Sequence, residues 1–210
     1  MSKPLSITRR GLFRGIGSAG LVAGCANRQA GEHATPPAAG DAVAAGEIGP
    51  EGASLTFELN GKRVSLQAEP RTTLLDALRL DLETTGPKLV CDRGACGACT
   101  VLVDGMPRNA CMMLAHDVAD RRVTTVEGLA QGKTLSRLQE AFVERDALQC
   151  GFCTSGMLIS CTALLRRTKG KAAGLTAADV EEAIAGNLCR CGTYPNVVAA
   201  VLDVAKGGGA

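Results

Sequence analysis

The stretch CDRGACGACT, Cys91 to Thr100, decides how this chain is read. Three cysteines and two glycines fall within its first nine positions, and no histidine is among them. A disulfide staple, a zinc site and an iron–sulfur cluster each concentrate cysteines, but at different spacings. With Cys111 the pattern is C-x4-C-x2-C-x11-C, which is the plant-type [2Fe–2S] arrangement of three close cysteines and a remote fourth. Structural zinc favours paired C-x2-C knuckles, often with histidine, and the gap from Cys91 to Cys96 is longer. A disulfide framework suits a chain too small to build a core. The iron–sulfur reading is therefore preferred, with zinc and disulfide as its rivals. Gly94 and Gly97 fit it physically. An anionic cluster needs N–H donors around its sulfurs, and glycine lets the loop turn its amides inward because it takes φ > 0 without steric cost.

The flanks of this loop predict a small mixed sheet packed on a helix. LTFELNGKRVSLQA, residues 55–68, alternates apolar and polar residues around Asn60-Gly61, a strong hairpin signal. Leu74, Leu75 and Leu78 share one helical face behind Thr72 or Thr73 as N-cap. After the loop, residues 100–103 read as a strand and Asp104-Gly105 as the turn of a second hairpin. Residues 122–126 are a candidate strand to close the sheet.

Four more cysteines follow as C-x2-C-x35-C-x-C: Cys150, Cys153, Cys189 and Cys191. Their surroundings read as four short helices. Leu135, Leu138 and Phe142 mark the first. Met157, Leu158, Cys161, Leu164 and Leu165 mark the second, with Ser155 as candidate cap. The third runs from Thr176, its cap, with Asp179 at N3, to Ala185, and Gly186 stops it. Pro195 opens the fourth at N1, running through Val204. A compact bundle follows, with each cysteine pair at a helix end where backbone N–H groups are free. Cys161 falls on an apolar face and reads as a small core residue. His33, His116 and Arg190 receive no role.

Composition supports one large or two small domains. Apolar residues make up 46% of the 210, so a core can form, and aromatics only 2%, so Leu, Val, Ala and Met must build it. Twenty-three basic residues face 21 acidic ones, and no basic run carries the interleaved aromatics that would stack nucleic-acid bases. No apolar stretch reaches the ~18 residues of a membrane-spanning helix. At the N-terminus, Thr8-Arg9-Arg10-Gly11-Leu12-Phe13-Arg14 precedes a mildly apolar, glycine-rich segment. It has the form of a twin-arginine export signal, which predicts a periplasmic protein. That route carries folded chains, as a protein loaded with metal before export requires. Val22-Ala23-Gly24-Cys25 also has the form of a lipobox, with Cys25 as the site of a lipid anchor. Residues 1–25 are read as this signal. Of residues 26–53, 17 of 28 are Ala, Gly or Pro, which predicts a disordered tether.

Both quartets in this order, within GACGACTV, QCGFCTSGM and NLCRCGTY, resemble the iron–sulfur small subunit of the xanthine oxidase family of molybdenum hydroxylases, within it the periplasmic aldehyde oxidoreductases. The resemblance spans about residues 54–206. It implies an α+β fold: a ferredoxin-like β-grasp domain at 54–128, then a four-helix domain at 134–206. Each would hold one [2Fe–2S] cluster, through Cys91, Cys96, Cys99 and Cys111, and through Cys150, Cys153, Cys189 and Cys191. Gln149 matches the family's glutamine beside the pterin, and Cys191 the ligand nearest the pterin amino group. The span between Cys153 and Cys189 is slightly long, and an insert at Lys169–Gly174 accounts for it.

The implied partners are a large molybdopterin-binding subunit and either an FAD-binding medium subunit or a cytochrome acceptor. The chain would then relay single electrons between them, with no catalytic residue of its own. Aldehydes are the first expectation for the partner's substrate and N-heterocycles the second. A stand-alone exported [2Fe–2S] carrier is the competing function.

Overall fold

Two-residue turns build the sheet. In the computed structural model, which describes residues 48–168 and 174–207, β1 (Ala53–Leu59) and β2 (Lys62–Ala68) pair antiparallel with Leu59 opposite Lys62. Asn60 and Gly61 between them both have positive φ, 51° and 80°. That is the type I′ geometry matching the twist of the flanking strands. β3 (Thr100–Val103) and β4 (Met106–Asn109) repeat the device at Asp104-Gly105, with φ of 50° and 82°.

The strand order is β2-β1-β5-β3-β4. β5 (Arg122–Thr124) pairs parallel to β1 and antiparallel to β3. The expected closing strand thus fills the middle of the sheet. It ends at Thr124, and residues Val126–Leu129 form a 3₁₀ turn.

Leu74 begins α1 (Leu74–Asp76), capped by Thr73, whose Oγ1 accepts from the Asp76 amide at 3.1 Å. The helix then widens into π-turns over Ala77–Asp81. Leu74, Leu75 and Leu78 are buried as their spacing predicts, against Leu55, Phe57, Val101 and Val103 of the sheet.

The opposite face of β3 is covered too. Leu102 points away from Val101 and Val103 and joins the core of the helices. The continuous apolar run Val101–Val103 is buried on both faces, as such runs are in central strands. All described residues fall in one compact unit.

That second core lies among α2 (Arg137–Glu144), α3 (Thr154–Arg167), α4 (Ala177–Ile184) and α5 (Tyr194–Lys206). A capping box of Ser136 and Gln139 starts α2, so Leu135 precedes the helix and is exposed rather than on its apolar face. Ser155 is not a cap. Cys153 holds the N-cap position of α3, and Ser155 is buried in its first turn, its Oγ donating to Ala98 O at 3.4 Å. Thr176 and Asp179 form the expected capping box on α4, each side chain accepting from the other's amide. Thr193 caps α5, which places Pro195 at the second helical position instead of the first. Arg145, ending α2, pairs with Asp203 of α5.

The signal, the lipobox at Cys25 and residues 26–47 of the tether lie outside the described residues, as do residues 169–173 of the insert. The tether's last residue, Ala53, is the first of β1. No described helix is long and apolar enough to cross a membrane.

Candidate metal centres

The loop from α1 to β3 brings the first quartet together. Cys96, Cys99 and Cys111 are buried and Cys91 is half-buried. Cys111 reaches the loop from the 3₁₀ turn Ala110–Met112 that follows β4. The thiols meet in pairs, Cys91 with Cys96 and Cys99 with Cys111, and Cys99 also senses Cys96. Amides converge on the sulfurs. Gly94 N–H donates to Cys111 Sγ at 3.3 Å, and the amides of Arg93, Ala95 and Cys96 point at Cys91. Asn109 pins the loop by donating from Nδ2 to Gly94 O at 3.1 Å, and Thr100 donates to Gly97 O at 2.6 Å.

These surroundings split the thiols electrostatically. The Arg93 amide, then the Cys96 thiol, bring Cys91 down to about 7. Burial pushes Cys99 up to about 12, offset in part by the Cys111 amide and reinforced by the Cys111 and Cys96 thiols. A thiol so raised keeps its proton unless a cation takes its place.

The second quartet lies where two connections end on helices. Cys150 and Cys153 lead into α3, and Cys189 and Cys191 lead into α5. The four thiols again neighbour one another: Cys153 faces Cys189 and senses Cys150, and Cys191 faces Cys150 and senses Cys189. Burial pushes Cys153 up to about 12. Burial also opposes charge on Cys189, but the Thr193 hydroxyl and amide, the Cys153 thiol and the Gly192 amide outweigh it and bring this thiol to about 7. Thr193 Oγ1 lies 3.2 Å from Cys189 Sγ. Cys150 and Cys191 are exposed. Among the described residues no three Cys, His, Asp or Glu donors close around a single ion. None of the nine described cysteines forms a disulfide.

Gln149 is exposed beside Cys150 in a stretch that also exposes Leu148 and Phe152, and Leu188, next to Cys189, is exposed too. Cys161 is buried in α3 apart from both quartets, and burial alone raises its thiol. His116 Nε2 lies 2.9 Å from Ala68 O, a structural contact. Two residues that the spacing of cysteines does not single out organise the second loop. Asn187, 3% exposed, bonds to Gly97 O and to Ser160 Oγ. Tyr194 OH accepts from the Cys189 amide and donates to Asn187 O.

Comparison with known proteins agrees with this layout. Residues 57–130 match the family described as 2Fe-2S iron-sulfur cluster binding domain, and residues 125–202 the [2Fe-2S] binding domain family. The aldehyde oxidoreductase iron-sulfur-binding subunit of Escherichia coli K12 is 40% identical over 212 residues, covering 96% of this chain and 89% of that one. The nicotine 6-hydroxylase small subunit of Paenarthrobacter nicotinovorans is 49% identical over 149 residues, 71% of this chain and 87% of that one. The crystal structure of quinoline 2-oxidoreductase from Pseudomonas putida 86 aligns with a TM-score of 0.68 at 38% identity, over 76% of this chain and 99% of that one. This chain belongs to the iron–sulfur small subunits of the xanthine oxidase family of molybdenum hydroxylases, the non-catalytic electron-transfer subunits of oxidoreductase complexes.

Proposed function

We propose that Cys91, Cys96, Cys99 and Cys111 hold one [2Fe–2S] centre, that Cys150, Cys153, Cys189 and Cys191 hold a second, and that the chain wires an aldehyde-oxidising molybdenum subunit to its acceptor. The observation that carries this reading is the gathering of eight thiols into two sets of four, one around the loop from α1 to β3 and one at the starts of α3 and α5. A two-iron, two-sulfide core takes four thiolates, so each set supplies the number that one core needs. The donor set fits as well. Thr154 Oγ1, one residue beyond Cys153, is a buried hydroxyl with no protein partner among the described residues, and a cluster sulfur is an acceptor it lacks. When bound, such centres supply reversible one-electron storage, with potentials tuned by hydrogen bonds, burial and charge.

The residues of this chain do the rest. The amides of Gly94 and Arg93 stabilise negative charge on Cys111 and Cys91. Burial of Cys96, Cys99 and Cys111 keeps water from the first set. Cys150, Cys191 and Gln149 are open to solvent, which suits a face that docks on the molybdopterin-binding subunit, with Gln149 and Cys191 toward the pterin. An FAD-binding subunit or a cytochrome would take electrons from the first set. α2 to α5 are read as a four-helix domain at 134–206, beside the β-grasp domain at 54–128. The Arg9-Arg10 signal supports export to the periplasm, with Cys25 as a lipid attachment site.

Isolation at native expression tests the assignment. The expected result is a large chain carrying molybdenum and pterin that co-elutes with this one. A monomer that elutes alone and is fully competent as a carrier contradicts it and supports the stand-alone carrier.

A further inference from the structure

We infer that the two centres communicate through the main-chain hydrogen bond between Cys96 and Leu188, and that Asn187 is the positioning residue that keeps this junction closed. The inference rests on the reading of the eight cysteines as ligands of two clusters.

Leu188 N–H donates to Cys96 O at 2.9 Å. Cys96 belongs to one quartet, and Leu188 is bonded directly to Cys189 of the other. From Cys96 Sγ to Cys189 Sγ there is an unbroken run of covalent bonds interrupted by this single hydrogen bond. Electronic coupling decays far more steeply across a gap than along bonds, so a short bonded route carries an electron that a through-space jump would not. The rival crossing is weaker. Ser155 Oγ reaches Ala98 O at 3.4 Å, at the outer limit of a hydrogen bond, and it leads to neither sulfur directly.

The junction is held from three sides. Asn187 Nδ2 donates to Gly97 O at 2.9 Å, and its Oδ1 accepts from Ser160 Oγ at 2.8 Å. Its carbonyl accepts from Tyr194 OH at 3.1 Å, and the same hydroxyl accepts from the Cys189 amide at 2.7 Å. Gly97 and Gly156 have no room for a side chain. A Cβ on Gly97 would strike Gly186 O and Asn187 Nδ2, and one on Gly156 would strike Gly97 O. Beside the junction is a cavity of about 320 Å³ lined by Gly94, Thr100, Ser160 and Asn187. The Asn187 side chain lines this cavity and ties its loop to Gly97 and Ser160, so truncation removes both ties and lets the two loops part. The step carried here is a one-electron exchange. One centre is oxidised as the other is reduced, and no bond or proton moves.

The test uses the complete complex with both centres loaded. In Asn187→Ala each centre is expected to keep its own paramagnetic signal, while the magnetic splitting between them shrinks and their equilibration after rapid photoreduction slows severalfold. Ser155→Ala is expected to change neither. An unchanged splitting and rate in loaded Asn187→Ala overturn the inference, as does a greater slowing in Ser155→Ala. If Asn187→Ala fails to load, Tyr194→Phe, which releases the Cys189 amide and Asn187 O, is read by the same two outcomes. A wild-type protein with fewer than two signals overturns the underlying ligand assignment instead, so the two failures are separable.

Discussion

The amide of Gly94 donates a 3.3 Å hydrogen bond to the sulfur of Cys111, seventeen residues away. Gly94 makes this contact at φ +71°, and a Cβ there would lie 2.9 Å from Met112 Cγ. A side chain therefore costs about 1–2 kcal/mol in backbone strain before any clash is counted. Gly94→Val is expected to disturb or abolish the first quartet's signal and leave the second's intact, as read by electron paramagnetic resonance of the reduced protein.

Cys161 and Cys153 lie on the same stretch of chain with different fates. Cys161→Ser places a hydroxyl in an apolar helix face, which costs about 1–3 kcal/mol of stability, and iron content should not change. Cys153→Ser removes a proposed ligand and should halve the iron. Denaturant unfolding and iron analysis on both variants check the contrast.

Asp104 ties the β3–β4 turn to β5. Its carboxylate accepts from the Arg122 amide at 3.0 Å and from Arg121 Nε at 2.7 Å. The Arg122 amide, then the Arg121 side chain, hold its pKa below the ordinary 3.8. A depressed carboxyl stabilises the fold above its unfolded value and ceases to as pH falls through the folded one. Asp104→Asn should thus be less stable than wild type near neutrality, by under about 1 kcal/mol because the group is part-exposed. The difference should vanish in acid below 3.8. Urea titrations across pH measure it.

Phe152 is 58% exposed between Cys150 and Cys153, where a solitary domain has no reason to keep an aromatic ring. Phe152→Ala should leave unfolding within about 0.5 kcal/mol of wild type. Its affinity for the large subunit should fall about tenfold or more, as read by titration of the separated subunits.

Local chemistry made much of this legible in the sequence. Asn60-Gly61 and Asp104-Gly105 specify their turns by backbone preference alone, Thr176 and Asp179 cap a helix three residues apart, and cysteine spacing marks the two quartets. What escaped depends on distant pairing. β5 inserts between β1 and β3 because both neighbours offer it hydrogen bonds, which no pattern within residues 122–124 reveals. Leu135 obeys the helical period but precedes the Ser136 cap. Cys153 displaces Ser155 from the cap position because the turn carrying the thiol runs directly into the helix. Asn187 finds its partner Gly97 ninety residues away, and a lone Asn before a cysteine gives no hint of it.

Metal analysis combined with electron paramagnetic resonance of the anaerobically prepared, reduced protein addresses the central claim most directly. Two centres of four thiolates each predict about four irons and four acid-labile sulfides per chain, with two distinct signals. About two irons with one signal, or zinc without labile sulfide, would contradict it.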